Sequence, residues 1–511
     1  MAKETTTDTP TVPSSVQLAE ASYMSEYISL IDSSGGITPD IVRLMIEDHQ
    51  PTHDKTVQLY DRYKARNIPI FKRQPAKFND VKGINRLDVK VNNHLNNAFD
   101  SDIVDTQVGY GFGHPIAYSV ASDDKGKSLI PELDAKIDEF NKRNNVEDAD
   151  SESGKKAIIC GYSARLLYIN DDGDESLMNV DPFEAIILSR TNDLTNPTYA
   201  LRYYPILRWN GTTKETFIRA DFYDGENITT FISSGTPDSG IETFTLEEEA
   251  HPHMFRGCPL FGIPNNQELQ GAVEKVINLI DAYDRTVSDE NNEIEQMRLA
   301  YLVIKNAGIS EEDAKKIDES GIFELFEKDD DVKFLTKDIN DAVIEHHLDR
   351  LAENIQRFAK TVNFSDATFG TTSGVALRYK LLSLENKMVT LERKFIAALR
   401  YQYKLLCNCW SNRKVDGVEP TAGNSDYLNI KFQFTRNLPV NLLEEAQTTA
   451  LFKGNIPEKA RLSLLSFITD VQQALDDMHA DQLEESNMYD DVAPKPELPK
   501  NDPKGNKEGN D

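Results

Sequence analysis

Cysteine is scarce: Cys160, Cys258, Cys407 and Cys409 are the only four in 511 residues. They are too few and too scattered for a disulfide framework, which points to assembly in a reducing compartment. Cys407 and Cys409 lie one residue apart at the end of a helical pattern, where i and i+2 side chains diverge, so no shared metal is expected of them. No apolar run approaches the roughly 18 residues that a membrane span requires. The first fifteen residues are rich in Thr, Pro and Ser and carry no apolar stretch, so residues 1–25 read as a flexible arm rather than a signal or transit peptide. Basic charge is also short. Against 85 Asp and Glu stand 56 Lys and Arg, a net charge of -29. A protein that grips DNA through phosphates needs basic patches, so tight DNA binding is disfavoured. Passage of DNA is a different demand, because a conduit must avoid tight phosphate contacts, and a mostly acidic wall meets it.

Catalytic motifs are missing as well. There is no G-x-x-x-x-G-K-[ST], no G-x-S-x-G and no H-E-x-x-H. Gly109, Gly111 and Gly113 do not make a dinucleotide fingerprint, since Pro115 follows where a helix should open. The acidic loop from Asn170 to Glu175 lacks the terminal glutamate of a calcium loop and reads as a solvated turn. His251 with His253, and adjacent His346 with His347, are the close histidine pairs, and neither is spaced for a metal. The run from Asp289 to Glu295 offers carboxylates for a two-metal nuclease, but on a long helix such a run is a solvated face. No catalytic residue, metal or cofactor is therefore expected, and the chain is not expected to be an enzyme.

What the chain does have is two long apolar stripes flanking a polar break. Ile344, Leu348, Leu351, Ile355, Phe358 and Val362 mark one helix, and Leu377, Leu381, Leu384, Met388, Leu391, Phe395 and Leu399 mark another. Between them, Asn363 to Ser373 is polar and must project as a loop.

The rest is mixed α+β, mainly helical. Helices are expected at 16–31, at 38–49 behind the Thr38 cap and Pro39, and at 54–66. Further helices are expected over most of 87–109 and at 131–141. A buried strand is expected at 157–169, with Asp172-Gly173 turning it into a second at 177–180. Strand patterns at 185–189, 199–207, 215–223 and 228–233, punctuated by Asn210-Gly211 and Asp224-Gly225, read as a meander. Pro205 assigns its strand to an edge or a bulge. Leu269, Val273, Val276, Ile280, Tyr283 and Val287 predict a long helix from about Pro264, followed by a strand at 300–304, a short helix at 310–320 and an extended stretch at 323–335. After Trp410 come a strand at 428–434, a helix from Asn441 to about Lys453, and another behind Pro457 whose face carries Leu464, Ile468, Val471, Leu475 and Met478. The tail from about 486 reads as disordered.

Four segments, in order, carry a family resemblance: NNAFDSDIVDTQVGYGFGHPI (Asn96–Ile116), LIDAYDRTVSDENNEIEQMRLAYLVIKNAG (Leu279–Gly308), SGVALRYKLLSLENKMVTLERKF (Ser373–Phe395) and NIPEKARLSLLSFITDVQQALDDM (Asn455–Met478). Together they resemble the portal proteins of tailed bacteriophages, in particular those of long-tailed phages of Gram-positive hosts. The resemblance implies a portal fold assembled as a cyclic ring, with twelve subunits in the virion and thirteen as the variant in isolation. It divides the chain into a wing (26–263 and 374–440), stem helices (264–298 and 340–362), a clip (299–339), a tunnel loop (363–373) and a crown (441–485). It implies a channel at one capsid vertex for packaging and ejecting double-stranded DNA. The implied partners are a terminase packaging motor, scaffolding and major capsid proteins and a head–tail adaptor, with no membrane. The protein would be assembled in the host cytoplasm and would reside at the portal vertex of the virion. In that setting Asn363, Phe364, Ser365, Asp366, Thr368, Phe369, Thr371 and Thr372 line the channel. Asp366 repels phosphate, Asn363, Thr368, Thr371 and Thr372 offer transient hydrogen bonds, and Phe364 and Phe369 anchor the loop. Lys328, Lys333 and Lys337 are candidates for clip-channel or adaptor contacts. The alternative is another phage head or tail assembly protein without a DNA channel.

Overall fold

The structure is a computed structural model. It describes residues 26–74, 91–122, 128–233, 243–297, 301–305, 331–335, 341–363, 374–412, 425–437 and 442–465, with scattered positions up to 478. The fold is α+β, about half helical, and the chain divides into two compact units, Met1–Asn437 and Leu438–Asp511.

Residues 26–34 form helix α1, and Thr38 caps α2 (Pro39–Tyr63) by accepting a hydrogen bond from the Ile41 amide. The sequence suggested two helices parted near Pro51; the structure has one of 25 residues running through it. Pro51 removes one helical N–H and crowds the carbonyl four residues back. The buried face of Val42, Met45, Ile46, His49, Thr56 and Leu59 continues on both sides, however, and its packing outweighs that local cost.

That face lies on a five-stranded antiparallel sheet in the order β4 (Ala185–Leu188), β5 (Tyr199–Asn210), β6 (Thr213–Tyr223), β7 (Asn227–Ser233), β8 (Phe244–Pro252). Leu188, Leu201, Phe222 and Phe231 of the sheet close one core against Ile28, Ile31, Met45 and Ile46. The meander is as expected, extended by β8, whose sequence is too acidic to announce a strand. Pro205 sits where β5 has passed the end of β4 and pairs only with β6, opposite Ile218, so its missing N–H costs the ladder nothing on that margin.

A second sheet joins β3 (Glu175–Val180), β2 (Tyr162–Ile169) and β9 (Leu260–Pro264), all antiparallel. The strand expected from Ala157 begins later. Ala157 to Cys160 instead finish a helix, Val146–Cys160, because an apolar run this short fits either state and Gly161 supplies the turn. Gly161 stands at φ +92, and a Cβ there would come within 2.2 Å of the Leu269 carbonyl oxygen. Before this helix lie Phe99–Phe112, strand β1 (Ala117–Val120) and the helix Pro131–Arg143. Strand β1 pairs with β12 (Ile430–Gln433).

Two further expectations need correcting. Residues 91–98 are not helical, and Ala98 enters the Phe99–Phe112 helix from a left-handed conformation. The long helix foreseen from Pro264 begins only at Ile277 and runs to Met297. Asn265, Asn266, Gln270 and Gly271 tie the intervening segment into a loop: both Asn side chains donate to the Gln270 carbonyl, and Gly271 N–H donates to Glu274. Leu269, Val273 and Val276 satisfy a helical stripe while packing from that loop.

Strand β10 (Tyr301–Lys305) pairs antiparallel with β11 (Asp331–Leu335). The short helix expected at 310–320 lies outside the described residues. The two striped helices are present as Asp341–Ala359, 19 residues and about 28 Å long, and Gly374–Asn412, 39 residues. Leu348, Leu351 and Ile355 are buried as foreseen, but Phe358 is 52% exposed. On the longer helix Leu381, Leu384, Met388, Leu391, Phe395 and Leu399 are all buried.

In the second unit, Leu442–Leu451 is a helix that ends before Gly454 at φ +83. The helix behind Pro457 spans only Glu458–Leu462 and is followed by a turn; most of its expected continuation lies outside the described residues.

Candidate functional site

The region around the polar break is built from four helices. Ile277–Met297 packs against Asp341–Ala359, and the chain between them contains the β10–β11 pair. The Ile277–Met297 helix is also held from the other side by the stretch 91–98. Asp284, Ser288 and Asn292, four residues apart, present three side-chain oxygens along one line. They accept from the backbone N–H groups of Asn97 (3.0 Å), Leu95 (3.0 Å) and Asn93 (2.7 Å), every second residue in the opposite direction. The Asn97 and Asn93 side chains donate to the same Asp284 and Asn292 oxygens. These bonds explain why 91–98 is not a helix: its amides are satisfied from outside. Burial holds the Asp284 carboxyl above the usual carboxylate range, despite the hydrogen bonds from Asn97. Alongside, Arg62 is buried between Asp100 and Asp281, and Asp289 pairs with Arg73.

At the other end of this frame the Asp341–Ala359 helix closes in a Schellman turn. Lys360 takes a left-handed conformation (φ +57), its N–H donates to the Arg357 carbonyl and the Thr361 N–H to that of Gln356. The Ala359 carbonyl, left over by this turn, accepts from Gln107 Nε2 at 3.2 Å and from Lys387 Nζ at 3.3 Å. Three separate segments meet there. Burial, with Lys360 and Lys275 nearby, lowers the Lys387 ammonium to a pKa of about 7.

The helix that carries Lys387 is itself clamped. Glu385 accepts from Tyr110 at 2.6 Å and from Arg436 at 2.9 Å, and Arg436 also reaches Glu392 at 2.6 Å. Burial opposes the Glu385 charge, but these donors outweigh it and hold the carboxyl below its ordinary range. Gly111 lies so close to the helix that a Cβ would approach Met388 Sδ to 2.8 Å, which accounts for part of the glycine-rich 109–113 segment.

Of the residues singled out from the sequence, Asn363 is exposed at the end of this frame. Phe364, Ser365, Asp366, Thr368, Phe369, Thr371 and Thr372 lie outside the described residues, as do Lys328 and Lys337. Lys333 is in β11 opposite Val303. The residues that sequence reasoning missed are those that hold the frame: Gln107, Lys387 and the 284–288–292 row. Only the last left a trace, as polar residues at a spacing of four. Cys407 and Cys409 are both buried, and burial pushes the Cys407 thiol up to about 12. Among the described residues no cluster of three or more His, Cys, Asp or Glu side chains is placed to hold a metal, and no helix is long and apolar enough to cross a membrane.

The family described as "Phage portal protein, SPP1 Gp6-like" matches residues 43–488. The chain belongs to that family. Among curated relatives, the portal protein of Clostridium phage phiCD119 is 22% identical over 454 residues, covering 85% of this chain and 94% of the relative. Portal proteins are a structural class of virion capsid component, and a role in passing DNA follows from the family, as do self-association and packaging partners in general. The frame described above is thus part of a portal protein, and Asn363, the first residue of the polar segment, stands at its end.

Proposed function

We propose that this portal protein assembles into a closed ring of twelve copies at one vertex of the capsid, with thirteen as the variant in isolation. Double-stranded DNA is packaged and ejected through the axis of that ring. The arrangement is cyclic and heterologous, since only that symmetry leaves an axial hole. In this reading 264–298 and 340–362 form the stem, 299–339 the clip, 363–373 the tunnel loop, 26–263 and 374–440 the wing, and 441–485 the crown. Asn363, Phe364, Ser365, Asp366, Thr368, Phe369, Thr371 and Thr372 line the channel, and Lys328, Lys333 and Lys337 belong to the clip channel or its adaptor contact. A terminase motor, scaffolding and major capsid proteins and a head–tail adaptor dock on the ring, which forms in the host cytoplasm.

The observation that carries the reading is the pair of packed helices Ile277–Met297 and Asp341–Ala359, linked through the β10–β11 pair and followed at once by the polar stretch 363–373. The division of the chain near Asn437 agrees with a crown that begins near 441. Light scattering and electron-microscope class averages of the purified protein test the proposal. Twelve chains of 57.7 kDa make a particle of about 690 kDa with an axial hole. A compact particle of that size without a hole overturns it.

A further inference from the structure

We propose that Lys387 and Gln107 form an anchor that fixes the direction in which the chain leaves the Asp341–Ala359 helix, and that they are positioning residues for the segment 363–373. The inference rests on the reading of that segment as channel lining.

The Schellman turn at Lys360 uses the Gln356 and Arg357 carbonyls and leaves that of Ala359 free. Ala359 is 1% exposed, so water cannot satisfy this acceptor. Two donors from distant parts of the chain converge on it instead. Gln107 comes from the Phe99–Phe112 helix and is fully buried; Lys387 comes from the Gly374–Asn412 helix, half-buried as a residue but with its ammonium deep. A cation at a helix C-terminus meets the negative end of the helix dipole, which favours this placement.

The choice of lysine is costly. A methionine would fill the space without desolvating a charge, and two further cations, Lys360 and Lys275, act against the charge on Lys387. Lys360 adds its own cost, because a residue with a Cβ is held where glycine is usual. The Gln107 Oε1 and Thr361 Oγ1 atoms are buried without a hydrogen-bond partner, so the node has acceptor capacity to spare. Charge, backbone strain and unspent acceptors concentrate at one point, two residues before Asn363. The helix dipole and the buried Ala359 carbonyl account for a donor here, but a neutral donor would serve both at lower desolvation cost. The three together, just before 363–373, therefore point to positioning of the chain exit beyond stability alone.

The test uses the full-length protein in three variants: Lys387→Met, Gln107→Leu, and replacement of 364–372 by a Gly/Ser segment of equal length. Rings are assembled and checked by microscopy, melting is measured, hydrogen exchange is followed at the amides of 360–363, and packaging is assayed with the phage's own motor and procapsids. For Lys387→Met the expected result is intact rings, an unchanged or higher melting temperature, exchange at Lys360 and Thr361 faster by about fivefold or more, and reduced packaging. Gln107→Leu is expected to act in the same direction. Unchanged exchange and normal packaging in both point variants, with packaging lost on loop replacement, overturns the anchor and leaves the channel reading standing. Normal packaging after loop replacement overturns the channel reading itself, and with it the functional half of this proposal.

Discussion

His49 shows how one residue on α2 couples the portal's stability to acidity. It is 7% exposed, shares a 2.9 Å hydrogen bond with the Tyr203 hydroxyl, and has a pKa lowered by burial, with His53 adding to the effect, from 6.5 to about 4. Between those values the unfolded chain binds more protons than the folded one, so stability must fall as the pH drops through that window. The full effect is about 3 kcal/mol for a single site. Denaturant midpoints measured between pH 6.5 and 4.5 should decline more steeply for the natural protein than for His49→Gln, which cannot take up the proton. Parallel declines would assign the acid sensitivity elsewhere.

At the scale of the element, the three-oxygen row on Ile277–Met297 is the contact to probe. Asp284→Ala removes the acceptor of two Asn97 donors, and the expected loss is about 1–2 kcal/mol, since part of Asn97 reaches water and recovers some hydrogen bonding. Asp284→Asn keeps the acceptor for both Asn97 donors and removes a buried charge, which offsets the unpartnered amide it puts at the Oδ2 position. It should therefore cost less than Asp284→Ala, under about 1 kcal/mol. Chemical denaturation with hydrogen exchange at 93–97 separates the two. The sequence announced this helix but misplaced its start, because Leu269, Val273 and Val276 keep the period of a stripe while packing from a loop. The Gly374–Asn412 helix was legible throughout, because one stripe from Leu381 to Leu399 is buried along its length. The Val146–Cys160 helix was missed because its first two turns carry almost no apolar residue beyond Val146. Residues 91–98 were misread for the opposite reason, since their hydrogen-bond partners are some 190 residues away in the chain. Gln107 was hidden in the same way, 252 residues from the Ala359 carbonyl it meets, whereas Lys387 lies only 28 residues on but across the polar break. Residues 363–373 stood out only as a polar break, and the channel role proposed for them came from the family resemblance.

For the whole molecule, charge sets the relation to DNA. With a net charge of -29 per chain, the ring proposed above should not retain free duplex at physiological salt. Filter binding or mobility shift with rings and short duplexes should give no saturable retention at about 150 mM salt. Tight, salt-sensitive retention would mean that basic groups dominate the bore. This expectation follows from composition, whereas the arrangement of the sheets and helices does not, because pairings such as β1 with β12 join residues more than 300 positions apart.

The row of Asp284, Ser288 and Asn292 also acts as a vernier. Four residues of helix advance about 6.0 Å and two of extended chain about 6.6 Å, so the two scales drift apart by about 0.6 Å per rung. Three rungs fit within hydrogen-bonding tolerance, and a much longer row would not. Its teeth differ as well: slipping by one rung would offer Asn97, which brings two donors to Asp284, a serine hydroxyl instead of a carboxylate. The helix therefore has one favoured axial setting. A pull along it loads these three backbone amides in shear as well as the packing against Asp341–Ala359.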